Sequence, residues 1–411
     1  MSSDTIRGVM PQSLMRRATC AAVLSMACSF ELQAGDRRTY VPGNFDYKEP
    51  TISAEQARHL ASTRGIITLA HVRSLTPEVA RNLVTNEHGI MLTLPAVETL
   101  DADTARELAR FKGNLRLWGL KILTPEVARV MADTKTGEDL DLCGLPNLSV
   151  EVAGILATTK VPALWLGLRE IDVELARALV PMRGHLIFPD LETLSPEAAA
   201  ELAKHKGPLN LGTVKLSQEA ATALLAHKSW LSLPGVKRLE PGVGDILARC
   251  EDEISISLAE IDSVALARKV FRQRNSPTAV DALKTISPEI ASELVQSGAS
   301  VSMYRLEKLS PEAAQELARK QGDMVFFALK SLTAETARAL TDRPASEFPV
   351  RLKGMTVLDG PAGVAVAEAL ASTSGSVHLE GLERVSARAL AVLRTKPAIK
   401  LPPDEKLTIV P

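Results

Sequence analysis

Aromatic residues make up only 3% of this 411-residue chain, and cysteine occurs four times. With so few rings, the core must be filled by aliphatic side chains, which a hydrophobic content of 45% supplies. Two of the cysteines, Cys20 and Cys28, precede the regular part of the chain, and Cys143 and Cys250 lie far apart within it. A disulfide needs Cα atoms within about 7 Å, so a disulfide-stapled scaffold is excluded. The net charge is −1, which removes any bulk attraction for nucleic acid. No apolar run approaches the roughly 20 residues that a membrane-spanning helix requires.

Catalytic signatures are equally scarce. The seven histidines are dispersed, and neither His-Glu-x-x-His nor Cys-x-x-Cys spacing occurs. His205 and His227 hold equivalent places, each one residue before a lysine near a helix end. There a partly protonated imidazole complements the helix dipole, a simpler role than metal ligation. Gly360-Pro-Ala-Gly363 lacks the Gly-Lys-Ser/Thr ending of a phosphate loop. No acid, base and nucleophile converge, so neither an enzyme nor a bound cofactor or metal is expected.

What the chain does have is repetition. Leu194-Ser-Pro-Glu-Ala-Ala-Ala-Glu-Leu-Ala-Lys-His-Lys-Gly207 returns as Leu309-Ser-Pro-Glu-Ala-Ala-Gln-Glu-Leu-Ala-Arg-Lys-Gln-Gly322. About fifteen such units run from residue 52 to 401, mostly 23 residues apart. That period is too short for a helical pair and fits one strand plus one short helix. Each unit starts with helix chemistry: Thr76-Pro77-Glu78, Thr124-Pro125-Glu126 and Ser287-Pro288-Glu289 place a capping hydroxyl, a proline at N1 and a first-turn carboxylate in order. The recurrent glutamates, Glu197 and Glu312 among them, are explained by that place. Helices of about ten residues follow, closed by Gly113, Gly207 or Gly322. The second half alternates, as in Leu115-Arg-Leu117-Trp-Gly-Leu120 and Leu140-Asp-Leu142-Cys-Gly-Leu145, with the leucines inward and the residue between them outward. By the same rule Leu211 is inward and Asn210 outward.

These units resemble the leucine-rich repeat family, in a divergent bacterial form. The likeness rests on the Leu-x-Leu strand, the apolar residue three places later and the helical Glu-Leu-Ala of Arg106-Glu-Leu108-Ala and Gln315-Glu-Leu317-Ala. It implies an α/β fold: a right-handed solenoid with a parallel sheet on one face and short helices on the other. One departure is clear. The family's asparagine after the strand is replaced by Leu120, Leu145, Leu191 or Leu306, so no asparagine ladder can form.

The ends differ from the repeats. Met15-Arg16-Arg17, the small apolar stretch Ala18–Phe30 and Leu32-Gln-Ala34 form a secretory signal over residues 1–34. Residues 35–51, with Tyr40, Phe45 and Tyr47, are a linker or an N-terminal cap, and 402–411 a C-terminal cap or tail. One internal region, Leu239–Leu283, breaks the pattern with Gly242 and Gly244 where a helix belongs. Its basic run, Arg268 to Arg274, is either a solvated helix face or a docking patch for an anionic partner.

The outward strand positions collect aromatic and basic residues: Arg116, Trp118, Trp165, Ile187, Tyr304, Phe327, Arg351, Lys353 and His378. Exposed aromatics with arginine are the composition of interaction surfaces. The expectation is an exported, non-enzymatic repeat protein in the periplasm, the cell envelope or outside the cell. Its strand face would recognise a protein or another cell-envelope macromolecule, through Arg116, Trp118, Trp165, Tyr304, Phe327, Arg351 and Lys353. The alternative is a structural spacer without a defined ligand. The signal is directly testable. Mass spectrometry of the protein from its native cells should find an N-terminus just after Ala34. An intact Met1 or Met15 terminus in the cytosol contradicts export.

Overall fold

Successive units of the chain begin with one local event. A hydroxyl or carboxylate takes over N–H groups that a helix leaves unpaired at its start. Thr76 Oγ1 accepts from the Val79 amide at 3.3 Å, Ser195 Oγ from Ala198 at 3.1 Å and Asp172 Oδ1 from Leu175 at 2.7 Å. The helices that follow, such as Pro77–Leu83, Val173–Leu179 and Pro196–Leu202, have seven residues each. They are shorter than the sequence pattern implies. Pro196–Leu202 is closed by Ala203 in the right-handed region, well before Gly207. Each helix buries one stripe, for example Ala198, Ala199 and Leu202, and depends on its neighbours for stability.

The computed structural model describes residues 44–411 apart from 63–64, 86–88, 135–138, 213–214, 274–275, 299–300 and 344–347. The predicted signal and Tyr40 lie outside the described residues, as does the side chain of Phe45. The first sheet is parallel and in chain order. Its strands are β1 (Asn44–Tyr47), β2 (Gly65–Leu69), β3 (Gly89–Thr93), β4 (Asn114–Arg116) and β5 (Leu140–Leu142), then β6 (Ala163–Leu166), β7 (His185–Phe188), β8 (Leu209–Leu211), β9 (Leu231–Leu233) and β10 (Ile254–Ile256). A second parallel sheet contains β11 (Val301–Met303), β12 (Met324–Phe326), β13 (Val350–Leu352), β15 (Val377–His378) and β17 (Ile399–Lys400). A third, three-stranded parallel sheet has β16 (Arg384–Ser386) in the middle, paired with β14 (Val357–Leu358) and with the final strand, β18 (Thr408–Val410). Helices lie between the strands along the chain, and the leucines of each Leu-x-Leu, such as Leu115, Leu117, Leu209 and Leu211, are fully buried. The architecture is an α/β solenoid of leucine-rich-repeat type.

After each strand the chain turns sharply. Leu120 N–H bonds the Leu117 carbonyl and Leu145 N–H the Leu142 carbonyl, both at 3.1 Å. The glycine just before that apolar residue lets one turn lie directly on the turn of the previous unit. A Cβ on Gly167 would stand 1.9 Å from the Cys143 carbonyl oxygen, and one on Gly144 2.0 Å from that of Trp118. Those neighbours are backbone and cannot yield. Close glycine stacking therefore occupies the place of the missing asparagine ladder.

A second column runs past the helix ends. Thr134 Oγ1 donates to the Ala109 carbonyl at 2.9 Å, His205 Nε2 lies 3.0 Å from the Gly184 oxygen, and Arg343 Nη2 donates to the Gly322 oxygen at 3.1 Å. Lys396 Nζ reaches the Thr373 carbonyl in the same way. These side chains satisfy carbonyls of the preceding unit at the helix C-cap, as at Ala109 and Thr373, or in the loop just beyond it, as at Gly184 and Gly322.

The irregular region is resolved by two substitutions of structure. Gly242 adopts φ +82° at a helix start, offers no capping side chain, and leaves a helix of only five residues, Val243–Leu247. In the next unit the strand is replaced by the helix Ser276–Asp281. Pro277 there has no N–H to give to a ladder, and Ala279 and Val280 turn inward instead. The sheet therefore stops at β10 and restarts at β11. Two cations of the basic run tie neighbouring units together. Arg268 binds Glu293 through Nε and Nη2 at 2.6–3.2 Å, and Lys269 Nζ donates to the Cys250 carbonyl at 2.6 Å. At the ends, β1 pairs with β2, the Tyr47 hydroxyl bonds the Thr51 carbonyl at 2.9 Å, and β18 pairs with β16.

The glycine contacts predict opposite outcomes for one chemical change. Gly167→Ala should cost more than about 3 kcal/mol, since backbone must move. Gly154→Ala, in the helix Val150–Leu156 with open space around its Cβ position, should gain about 0.5–1 kcal/mol. Urea unfolding midpoints of the two variants check the pair.

Candidate functional site

The seven outward residues singled out by the pattern fall into two groups on the strand face. Arg116, Trp118 and Trp165 lie on β4 and β6 or just beyond, whereas Tyr304, Phe327, Arg351 and Lys353 lie on or beside β11, β12 and β13. The stretch from β7 to β10 and the interruption of the sheet separate them.

In the first group Trp118 is 42% exposed and follows the inward Leu117. Its indole N–H donates to Asp141 Oδ2 at 2.6 Å. The Arg116 guanidinium lies over the ring, 5.1 Å from its centroid, and 3.9 Å from the same carboxylate oxygen. Asp141 is itself fixed, because its other oxygen accepts the Cys143 amide at 3.0 Å. Trp165, between the buried Leu164 and Leu166, points outward and is half-buried, with its N–H 3.4 Å from Asp139 Oδ2. Burial first, then Asp141 beside it, push the Cys143 thiol far above its ordinary range, which disfavours the thiolate form. Burial likewise raises the Asp190 carboxyl, with Arg169 opposing.

In the second group Tyr304 and Phe327 stack with centroids 4.3 Å apart and planes within 7°. Tyr304 is 51% exposed. Lys353 Nζ sits 5.3 Å from the Phe327 centroid and 3.8 Å from Glu380 Oε2, and Arg351 Nη2 lies 3.7 Å from Asp323 Oδ2. Cations near aromatic faces gain from the ring quadrupole.

The centre of the face departs from the simple alternation. Ile187, Asn210 and Ser232 hold outward register positions on adjoining strands, yet all are buried, Asn210 to 2% exposure. His378, also outward by register, is buried as well. Trp230 leans over to His185 with ring centroids 5.6 Å apart. Outward in a narrow stack therefore does not mean solvated. His205 and His227 differ from expectation too. Their rings are buried and stack at 6.4 Å with planes within 8°, and burial pushes both imidazoles below their ordinary range. His205 contacts the Val180 and Gly184 carbonyls, whereas both ring nitrogens of His227 are buried without a hydrogen bond, and burial disfavours the charged form that dipole complementation needs.

The pattern did not single out Asp139, Asp141, Glu380 and Lys400 as partners on the face. The signal was available for Asp141, which occupies the outward place of Leu140-Asp-Leu142. Among the described residues no three His, Cys, Asp or Glu side chains gather as a metal site, and no helix is long and apolar enough to cross a membrane.

No protein-family model matches the chain, and no curated protein matches it. Among solved structures, it is similar to a chain of the Toll–Spatzle complex from Drosophila, at 10% identity and a TM-score of 0.42 over 86% of this chain. It spans 60% of that chain's length. It is also similar to an internalin from Listeria monocytogenes, at 14% identity and TM-score 0.39 over 85% of this chain and 94% of the internalin. A third likeness is to the leucine-rich repeat domain of APL1B, at 8% identity and TM-score 0.31 over 98% and 94% of the two chains. At these values the likenesses carry no argument about activity or partner. The repeat architecture rests on the strands, turns and helices themselves.

The buried imidazoles make stability depend on pH. Burial, with His205 adding, pushes His185 down to about 4, and His205 and His227 are lowered by burial as well. In the unfolded chain all three titrate near the ordinary 6.5, so below that pH the unfolded state takes up protons first and stability falls. For His185 alone the loss by pH 4 is about 3 kcal/mol. Urea melts at pH 7 and 4.5 should show this drop, and His185→Gln should reduce it. An unchanged pH difference in that variant would mean that His185 charges freely in the fold.

Proposed function

We propose that this chain is an exported, non-enzymatic recognition protein that holds another protein on its strand face. The observation that carries the reading is the contrast in charge pairing between its two sides. On the helix side, pairs from one helix to the next are close: Arg81–Glu107 at 3.0 Å, Arg129–Glu151 and Arg177–Glu201 at 3.2 Å, and Arg268–Glu293 at 2.6 Å. On the strand face the pairs of Arg116, Arg351 and Lys353 open to 3.7–3.9 Å. There the cations stand beside exposed rings with donor capacity left over.

Trp118 is the anchor in this reading. Asp141 and Arg116 hold its indole in place before any partner arrives, so little side-chain freedom is lost on binding. Aromatic anchors of this kind typically cost about 2 kcal/mol or more when truncated. The signal over residues 1–34 supports placing the protein outside the cytoplasm, where the partner would be an envelope or extracellular protein.

The test compares the mature wild-type protein with Trp118→Ala as bait for a cell-envelope extract, followed by titration of the species retained. Trp118→Ala should weaken that species at least roughly thirtyfold while leaving the urea midpoint unchanged. Equal retention by both baits removes Trp118 as anchor. A wild-type bait that retains nothing favours the spacer reading.

A further inference from the structure

Arg351 and Lys400 flank a buried histidine in register at the C-terminal end of the strand face: Arg351 pairs with His378, and His378 with Lys400, across β13, β15 and β17. The three side chains form a line at the roughly 4.8 Å spacing of strands. Because burial, with Lys400 and Arg351 adding, pushes the His378 imidazole below its ordinary range, the two ends of the line carry the charge. Their counter-charges are incomplete. Arg351 reaches Asp323 only at 3.7 Å, and its Nε is buried without a hydrogen bond. The His378 side chain is 10% exposed. Its Nδ1 lies 3.4 Å from Glu380 Oε1 but makes no hydrogen bond. Lys400 is exposed and forms no ion pair among the described residues. Lys353, in the next position, shares Glu380 at 3.8 Å. Three cations, Arg351, Lys353 and Lys400, thus face two carboxylates. A buried donor without an acceptor is a cost that a ligand supplying oxygen atoms would relieve.

The stacked pair Tyr304 and Phe327 lies beside this line, with Phe327 one strand before Arg351 and Lys353. From Phe327 to Lys400 is three strand spacings, about 14 Å. An extended peptide covers that in four or five residues at about 3.3 Å each. The other end of the face has the opposite sign: Asp141 lies beside Arg116, Asp139 beside Trp165, and Asp190 within reach of Asp141. An acidic segment would be repelled there and held here. Single-stranded nucleic acid could stack on the same rings, but it needs cations all along its path. Here the cations, Arg351, Lys353 and Lys400, are few and have Asp323 and Glu380 among them.

Building on the reading of the strand face as a recognition surface, we infer that its C-terminal part holds an extended acidic segment of the partner protein. An apolar residue of that segment packs on Tyr304 and Phe327. Carboxylates about two and about five positions further on meet Arg351 and Lys400, where a guanidinium offers paired donors that match a carboxylate.

The test uses the full chain and fluorescence anisotropy. The probe is a labelled peptide with one leucine followed two and five positions later by glutamates, the rest glycine and serine. A second probe has glutamine for both glutamates. The expected result is saturable binding of the first peptide that weakens with added salt, at least tenfold loss for the glutamine peptide, and at least tenfold loss for Arg351→Gln. Lys400→Gln, at an exposed site, should weaken it several-fold and keeps the test valid if Arg351→Gln fails to fold. The peptide tests only the C-terminal part of the face, so failure here is separable from failure of the Trp118 anchor in the extract experiment. Equal binding of the two peptides overturns the inference. So does tighter binding of a single-stranded oligonucleotide or of phosphatidylglycerol vesicles through the same residues.

Discussion

Successive turns of this chain meet through bare backbone, and most of the architecture follows from that contact. At Gly144, Gly167, Gly212 and Gly381 any Cβ would fall within about 2 Å of a carbonyl oxygen in the preceding turn. Only glycine lets the turns approach so closely while the strands before them keep ladder spacing. Related architectures fill this place with an asparagine that bonds to the turn. Here the turn bonds to itself, as Leu120 to Leu117 and Leu145 to Leu142. The strand, the turn and the following apolar residue are held in one repeating relation. The outward residues thereby become rows, and a partner can read them as rows.

The two sides of the stack solve different problems. The helix side must hold short, individually marginal helices, and does so with capping groups at one end, carbonyl-seeking side chains at the other and close ion pairs between neighbours. Such exposed pairs contribute little singly, about 0–1 kcal/mol, but they leave few charges seeking partners. The strand face carries rings and cations whose pairing inside the fold is loose. An acidic character near β5 and a basic one near β13 to β17 give the surface a direction, so that an elongated partner can bind in one sense and not the reverse.

The architecture was legible in the sequence because its signals are local. A Ser–Pro–Glu triplet caps a helix whatever surrounds it, and Leu-x-Leu with a following glycine states strand and turn together. Helix length was not legible, since the glycines assumed to stop helices serve the stacking of loops further on, as Gly207 does against Gly184. The exposure of outward positions was half legible. Trp118 and Tyr304 are open, whereas Asn210, Ile187 and His378 are covered, and this depends on the size of side chains one and two strands away. Periodicity carries no record of those neighbours. The pairing of Trp118 with Asp141 was also half legible: one repeat apart, both stand outward on neighbouring units, but alternation does not say that the indole reaches across to the carboxylate. The histidines at 205 and 227 shared a place in the repeat. Equivalence of position could not say whether that place was wet or dry.

The interruption between β10 and β11 has a consequence for cooperativity. A stack of this kind transmits order only between neighbours, so its cohesion is that of a chain of links in series. At one link the backbone ladder is missing and Ser276–Asp281 stands in its place. What crosses that joint is side-chain packing, the Arg268–Glu293 pair and the Lys284 amide bonded to the Ala259 carbonyl at 2.7 Å. The acidic and basic ends of the strand face lie on opposite sides of it. The joint therefore divides the solenoid into two blocks that can fray, refold and exchange amide protons on separate clocks, and a partner bound across both would act as the splice between them.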